Sequence, residues 1–197
     1  MSSKAPIPTF TFLQKIRLKL FGISKWDIPT YTTANELIKL YELSKALKEE
    51  SVAVEIGSYI GASSLMVGLG LKNNCKLYCI DTWQNDAMTE GNWDTFKQFT
   101  TNTNLVKNKI APIKSNSKDA VSQITTMVDF IFIDGDHSYE GVKTDFDLWF
   151  PKLKQGGVIV FHDWEWAEGV KRVINEDAKH QLSSFDELPN MFWGWKK

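Results

Sequence analysis

Asp134-Gly135-Asp136-His137 and His162-Asp163 bring three carboxylates and two imidazoles together on two short segments. Each segment directly follows an apolar run, Val128-Asp129-Phe130-Ile131-Phe132-Ile133 in one case and Val158-Ile159-Val160-Phe161 in the other. If the runs are neighbouring strands, about 4.8 Å apart, their ends converge on one spot. Carboxylates gathered so closely are costly without a cation. Oxygen-rich donors suit Mg²⁺ or Mn²⁺, and imidazole widens the choice toward Fe, Ni or Zn. His137 fits a general base, because an ordinary imidazole titrates at about pH 6.5. Asp136 is the rival for that role. His162 is either a third metal ligand or faces the other side of the sheet, since side chains alternate along a strand. Turn formation and helix capping by Asp134 and Asp136 is the structural alternative.

A second constellation lies upstream. Glu55-Ile56-Gly57-Ser58-Tyr59-Ile60-Gly61 leaves one apolar stretch and opens another with helical spacing. Gly57 permits a tight turn and close backbone approach, and Gly61 lets the helix pack near the strand. A dinucleotide fingerprint would need a third glycine, and a phosphate loop would need Gly-Lys-Ser/Thr; neither is present. Asp81 follows Gly57 by 24 positions, at the end of the next strand. An acid at that place accepts hydrogen bonds from ribose hydroxyls, so loop and acid together point to an adenosine-containing cofactor. Trp83 is placed to stack on adenine or line the pocket, or else to pack in the core. Asn116 and Ser117 could meet the adenine edge, with helix capping by Ser117 as the alternative. Trp83, Trp164 and Trp166 offer flat apolar walls to a ligand ring, or serve as packing aromatics. Thr82 to Asn92, with Gly91, reads as a lid.

These groups need a frame that holds them at strand ends. Short apolar runs predict strands at 52–56, 76–80, 109–114, 128–133 and 157–162, with helices near 62–72, 93–103, 117–125 and 139–153 between them. The stripe Val142, Phe146, Trp149, Phe150 and Leu153 marks the last of these as amphipathic, and Gly156-Gly157 turns the chain into the next strand. A helix near 167–179 precedes two aromatic-rich strands near 182–187 and 191–196. Alternation of strand and helix predicts right-handed crossovers and a doubly wound α/β (Rossmann-like) sheet, which binds ligands beyond the carboxyl ends of its strands. Residues 1–50 read as a helical extension or cap. Leu13, Ile16 and Leu20 have helical spacing up to Gly22, and Thr33 with Glu36 forms a capping box.

Over residues 50–165 the chain resembles the class I S-adenosylmethionine-dependent methyltransferases. Within that class it more closely resembles the small bacterial group that includes metal-dependent sugar and macrolide O-methyltransferases. The residues that carry the resemblance are the loop Glu55 to Gly61, Ile80-Asp81-Thr82-Trp83, Phe132-Ile133-Asp134-Gly135-Asp136-His137 and Phe161-His162-Asp163-Trp164. The resemblance implies a seven-stranded, mostly parallel sheet whose last strand is antiparallel, and a methyltransferase domain over residues 51–197. It implies S-adenosylmethionine bound by Glu55, Gly57, Gly61 and Asp81, with Ser58 and Asp134 beside them. It also implies Asp134 and Asp163 as metal ligands; relatives that use a metal often carry an acid where this chain has His162. The acceptor expected is a sugar hydroxyl, then a catechol-like or polyketide hydroxyl. A metal-dependent hydrolase would leave the Gly57 loop and Asp81 unused. A non-catalytic cofactor-binding protein would leave the acid and histidine cluster unused.

Composition agrees with such an enzyme. The 197 residues suit one substantial core, with 43% hydrophobic and 24% charged side chains. No apolar run approaches the roughly 18 to 20 residues that cross a bilayer, and no secretory leader is legible. Cys75 directly precedes, and Cys79 lies in, the strand predicted at 76–80; along an extended chain they are about 13 Å apart and too far for a disulfide, so a reducing cytoplasm is expected. A net charge of −1 argues against nucleic acid as the main partner. A small molecule is the expected partner, and homodimerisation is left open. The charge is uneven: residues 1–25 carry +5 with no acid, which leaves −6 for the rest. Such an arm suits a membrane surface or an anionic partner, and equally a solvated helix face.

Overall fold

A computed structural model of the protein describes residues 5–85 and 93–197. Seven strands, β1 (Val52–Ile56), β2 (Lys76–Asp81), β3 (Ile110–Lys114), β4 (Val128–Ile133), β5 (Leu153–His162), β6 (Leu182–Leu188) and β7 (Met191–Lys196), form one sheet in the order β3-β2-β1-β4-β5-β7-β6. Neighbours from β3 across to β5 are parallel, and β7 runs antiparallel to both β5 and β6. This is the doubly wound, seven-stranded sheet expected, with the last strand antiparallel. The helices are α1 (Phe12–Leu20), α2 (Ala34–Lys45), α3 (Ala62–Gly70), α4 (Phe96–Asn102), α5 (Ser117–Ala120), α6 (Tyr139–Trp149) and α7 (Glu168–Val173). No helix among the described residues is long and apolar enough to cross a membrane, and both cysteines are free and buried.

The central strands are mainly apolar, with near-continuous apolar runs at Phe130 to Ile133 and Val158 to Phe161, because both faces are covered there. Ile131, Ile133, Ile159 and Phe161 meet Val142, Phe146 and Trp149 of α6 on one face. Phe130, Phe132, Val158 and Val160 meet Phe99 of α4 and Leu40 of α2 on the other. On that second side α2 and α3 form a further layer through Leu37, Ile38, Tyr41, Leu65 and Met66. α3 is therefore apolar almost all round, as a helix enclosed between sheet and helix must be. The capping box predicted at α2 is present, with Thr33 accepting from Glu36 N and the Glu36 carboxylate accepting from Thr33 N at 2.7 Å.

Several element bounds differ from those expected. The helix predicted to reach 153 stops at Trp149, and Leu153 already belongs to β5. Pro151, which lacks an N–H and cannot extend an α-helix, lies in a single 3₁₀ turn between them. Gly156-Gly157 is not a turn before the strand but an irregularity within it: the register on β4 shifts between Val128 and Phe130, and Gly156 adopts φ 71°. The helix expected over 117–125 is only α5 and a 3₁₀ turn, and α7 runs on as a π-helical stretch over 174–178.

Candidate active site

The strand order reverses between β1 and β4, the place where sheets of this kind bind ligands. Gly57 leaves β1 there with φ 85°, and a Cβ on it would sit 2.6 Å from the Asp134 carbonyl carbon. Asp134 N donates to Ile56 O at 2.9 Å, which ties the ends of the two strands together. Gly61, at the start of α3, also has positive φ, but its close neighbours are Thr103 and Phe99 of the α4 region rather than the strand. Its lack of a side chain makes room for a helix-to-helix approach, which corrects the expectation of helix on strand.

A cavity of about 510 Å³ opens over these strand ends, a volume suited to a small ligand. Gly57, Ser58, Tyr59 and Asp81 line one part; Asp134, His137, His162 and Asp163 line another. The Asp81 carboxylate is aimed by two backbone donors, Tyr59 N at 2.7 Å and Trp83 N at 2.6 Å. Glu55 is completely buried and does not line the cavity. It accepts hydrogen bonds from the hydroxyls of Ser58 and Ser64, and so anchors the loop. Burial raises its pKa, against the opposing hydrogen bonds of the serines.

Other expected contacts fall elsewhere. Trp83 is completely buried against Phe96 and Phe99, so its role here is packing. Trp164 packs on Phe192, while Trp166 lines the cavity. Asn116 caps α5 by accepting from Asp119 N at 2.8 Å. The Ser117 hydroxyl donates to Asp145, a buried acid of α6. Neither Asn116 nor Ser117 lines the cavity. Of the stretch read as a lid, residues 86–92 lie outside the described residues.

Burial lifts the Asp145 carboxyl to about 6 despite the Ser117 hydroxyl. An ordinary aspartate titrates at about 3.9, so the unfolded chain releases this proton first. The folded state then loses stability as pH rises from about 4 to about 6, by about 2–3 kcal/mol. Asp145→Asn is expected to remove that loss. Its melting temperature should exceed the parent's at pH 7.5 and match it at pH 4. A variant no more stable than the parent at pH 7.5 would refute this account of Asp145.

The acid and histidine cluster is compact. One ligand atom from each of Asp134, His162 and Asp163 lies within 4.8 Å of the others. His162 Nδ1 stands 3.1 Å from Asp134 and 3.2 Å from Asp163. His162 therefore faces the same spot as the two acids. Its position follows from strand alternation, since 158, 160 and 162 share a face. His137 Nε2 lies 2.6 Å from Asp163 Oδ2. Asp163 also accepts from Trp166 Nε1 at 2.8 Å and Asn190 Nδ2 at 3.1 Å. These contacts hold a residue whose φ of 59° is costly for a non-glycine, and such strain gathers at functional sites.

Asp136 is exposed and turned toward α6, accepting from Ser138 N at 2.7 Å. It does not line the cavity. The third carboxylate of the cluster is instead Glu36 of α2, whose Oε2 lies 3.4 Å from His162 Nε2. Sequence reading found Glu36 as a helix cap and missed this second contact. It also missed Thr30, Tyr31 and Thr32, which line the cavity from the approach to α2, and Asn190 from the turn between β6 and β7. The polar run Thr30-Tyr31-Thr32-Thr33 was the available signal for the first three.

Charge in the cluster is largely balanced from within. Burial favours neutral forms, but the charge of Asp134 and the hydrogen bonds of Asp134, Asp163 and Glu36 hold the His162 pKa well above its ordinary value. Burial would likewise raise Asp163, yet His137 and His162 outweigh it and hold that carboxyl far below the usual range. The Asp163 hydrogen bond raises His137, against burial. Asp134 is raised, because its burial prevails over His162.

The sheet order, the switch-point cavity and the acidic strand ends define a doubly wound α/β fold of the methyltransferase type. The chain belongs to the methyltransferase-domain family, whose model matches residues 54–164. A protein of Acanthamoeba polyphaga mimivirus is 32% identical over 139 residues, covering 66% of this chain; the chain spans 60% of that relative's length. The fold is similar to that of an O-methyltransferase from Bacillus cereus solved with S-adenosylhomocysteine (TM-score 0.66, 14% identity, 95% of this chain and 92% of the other). It is also similar to TomG from Streptomyces achromogenes, an O-methyltransferase of tomaymycin synthesis solved with S-adenosylmethionine (TM-score 0.64, 13% identity, 97% and 92% covered).

Proposed function

We propose that this protein transfers the methyl group of S-adenosylmethionine to a hydroxyl of a small molecule, a sugar or related natural product, with the aid of a divalent metal. The observation that carries the reading is a single cavity that joins the Gly57 loop and Asp81 to the Asp134, His162 and Asp163 cluster. Family membership supports the reaction type, and the Bacillus and Streptomyces neighbours support the cofactor and an oxygen acceptor.

The residues present fit both groups. For the cofactor, Asp81 is a carboxylate oriented by two backbone N–H groups at the cavity wall, suited to ribose hydroxyls. Gly57, Ser58 and Tyr59 would border the rest, with Glu55 bracing the loop from below. The cofactor supplies an electrophilic methyl on a sulfonium. For the metal, two carboxylates and one imidazole form a donor set acceptable to Mg²⁺ or Mn²⁺. A bound cation would act as a Lewis acid on the acceptor hydroxyl.

The chain's own groups do the remaining work. His137 lines the same cavity and takes the hydroxyl proton on its imidazole. Asp163 holds that ring in place through the 2.6 Å contact. Asp136, directed to α6, leaves the base role to His137. Trp166 presents an indole wall at the cavity, suited to the flat face of a sugar. Holding acceptor and methyl donor in line supplies much of the rate.

Calorimetry with S-adenosylmethionine tests the cofactor half. Binding is expected, and Asp81→Ala should weaken it more than tenfold, since hydrogen bonds to a charged group contribute about 1.5–3 kcal/mol. A chain that binds NAD and ignores S-adenosylmethionine would overturn the reading. The acceptor is to be found by following S-adenosylhomocysteine release over a panel of sugars, catechols and polyketides.

A further inference from the structure

Outside the cavity, the feature with most unexplained surface is α1. Its only buried member is Leu18, which packs with Phe10, Trp26 and Leu37. Four apolar side chains face solvent instead: Phe12 is 77% exposed, Leu13 75%, Ile16 42% and Leu20 80%. At about 100° per residue these four span an arc of about 100°, centred nearly opposite Leu18. The helix thus carries two apolar faces, one spent on the core and one turned outward.

The outward face is bordered by cations. Lys15 and Lys19 fall along one edge of the arc, and Arg17 along the other. Arg17 pairs with Glu42 of α2 at 2.8 Å, a contact between two half-exposed side chains. Among the described residues, Lys15, Lys19 and Lys25 form no ion pair. A groove of about 510 Å³ runs beside α1, lined by Ile7, Ile16 and Trp26 together with those three lysines. Residues 1–26 contain no acid at all. An apolar stripe flanked by unpaired lysines is the arrangement of a helix that lies in a lipid interface, apolar side down, with cations at headgroup level. A second copy of this chain fits poorly, because a two-fold contact through this face would set Lys15 and Lys19 against their own copies. Nucleic acid would take the lysines but leave the four apolar side chains in water.

We propose that α1 docks this protein on an anionic membrane surface, with Phe12, Leu13, Ile16 and Leu20 entering the acyl boundary and Lys15, Lys19 and Lys25 meeting lipid phosphates. This stands apart from the methyl-transfer reading, since no α1 side chain reaches the cavity. It places the enzyme beside the bilayer, where an acceptor carried on a lipid would be presented.

The test is flotation of the full chain with vesicles of phosphatidylcholine alone and of phosphatidylcholine mixed with phosphatidylglycerol. The protein is expected to float with the mixed vesicles, not with the neutral ones, and to be released when salt is raised to about 0.5 M. Each lysine near an anionic surface changes partition about fivefold, so Lys15→Glu with Lys19→Glu should lower it at least about tenfold. Phe12→Ser with Leu20→Ser should do the same through the apolar side. All four side chains are exposed, so melting temperature and S-adenosylmethionine affinity should stay at parent values; this separates failure of docking from failure of the fold or the cofactor site. No flotation with mixed vesicles, or flotation that both double variants share with the parent, would overturn the proposal. So would sedimentation showing a dimer that the variants dissolve while vesicle binding is absent, which would give the face to a second copy.

Discussion

Asp163→Ala is expected to stop methyl transfer, with turnover at least about 10³-fold below the parent, while S-adenosylmethionine affinity changes less than threefold. Asp163 is the hub of the cluster: it meets His137, His162, Trp166 and Asn190 through one carboxylate. Its removal takes one of three donors from the candidate metal set and frees the His137 ring at once. Calorimetry with Mn²⁺ separates these losses. Asp163→Ala should bind Mn²⁺ far more weakly than the parent. His137→Ala should bind it normally yet lose roughly 10²- to 10⁴-fold in rate, the usual cost of a missing general base. Near-normal turnover in His137→Ala would remove the base role from this residue. Full turnover of the parent after exhaustive chelation would remove the metal from the reaction and leave an acid–base site.

The strand ends were legible because the signals there are local. A continuous apolar run followed at once by Asp134 or His162 marks both a buried parallel strand and its carboxyl end. The sequence leaves open which face His162 takes; in the structure it shares the face of Val158 and Val160, as strand alternation requires. Nothing comparable announces Glu36. Its spacing from Thr33 fully accounts for it as a cap, and its approach to His162 depends on how α2 lies across the sheet, a long-range fact. Trp83 failed for a related reason. An indole two residues past Asp81 is near the cofactor site in sequence, but Phe96 and Phe99 draw the ring into the core. Asp136 shows the limit of proximity along the chain: between Asp134 and His137, it nonetheless turns away to the start of α6. The bounds of β5 were obscured because Gly156-Gly157 looks the same in sequence whether it ends a turn or forms a bulge.

Gly57→Ala carries the largest structural penalty expected of any single methyl group in the site. The residue sits at φ 85°, a region that costs an L-side chain about 1–2 kcal/mol. The added Cβ would also meet the backbone of Asp134 and lie 2.9 Å from Gly135 N, where no flexible side chain can give way. Overpacking of this kind costs about 1–3 kcal/mol more. Together the change should destabilise the fold by about 2–5 kcal/mol, read as a lower denaturation midpoint in urea. The effect should not stop at stability. To relieve the clash, the end of β1 must move away from the end of β4, and Asp134 is on the moving part. S-adenosylmethionine affinity and Mn²⁺ binding should therefore fall together in the fraction that still folds, although the added methyl would touch neither ligand's charged groups. The control is Gly22→Ala, at φ 83° with no heavy atom within 4 Å of the added Cβ. It should show the backbone cost alone and leave both ligands bound as in the parent. Equal midpoints for the two variants would mean that the contact between β1 and β4 is looser than the geometry requires, and that the loop is not what couples the cofactor site to the acidic cluster.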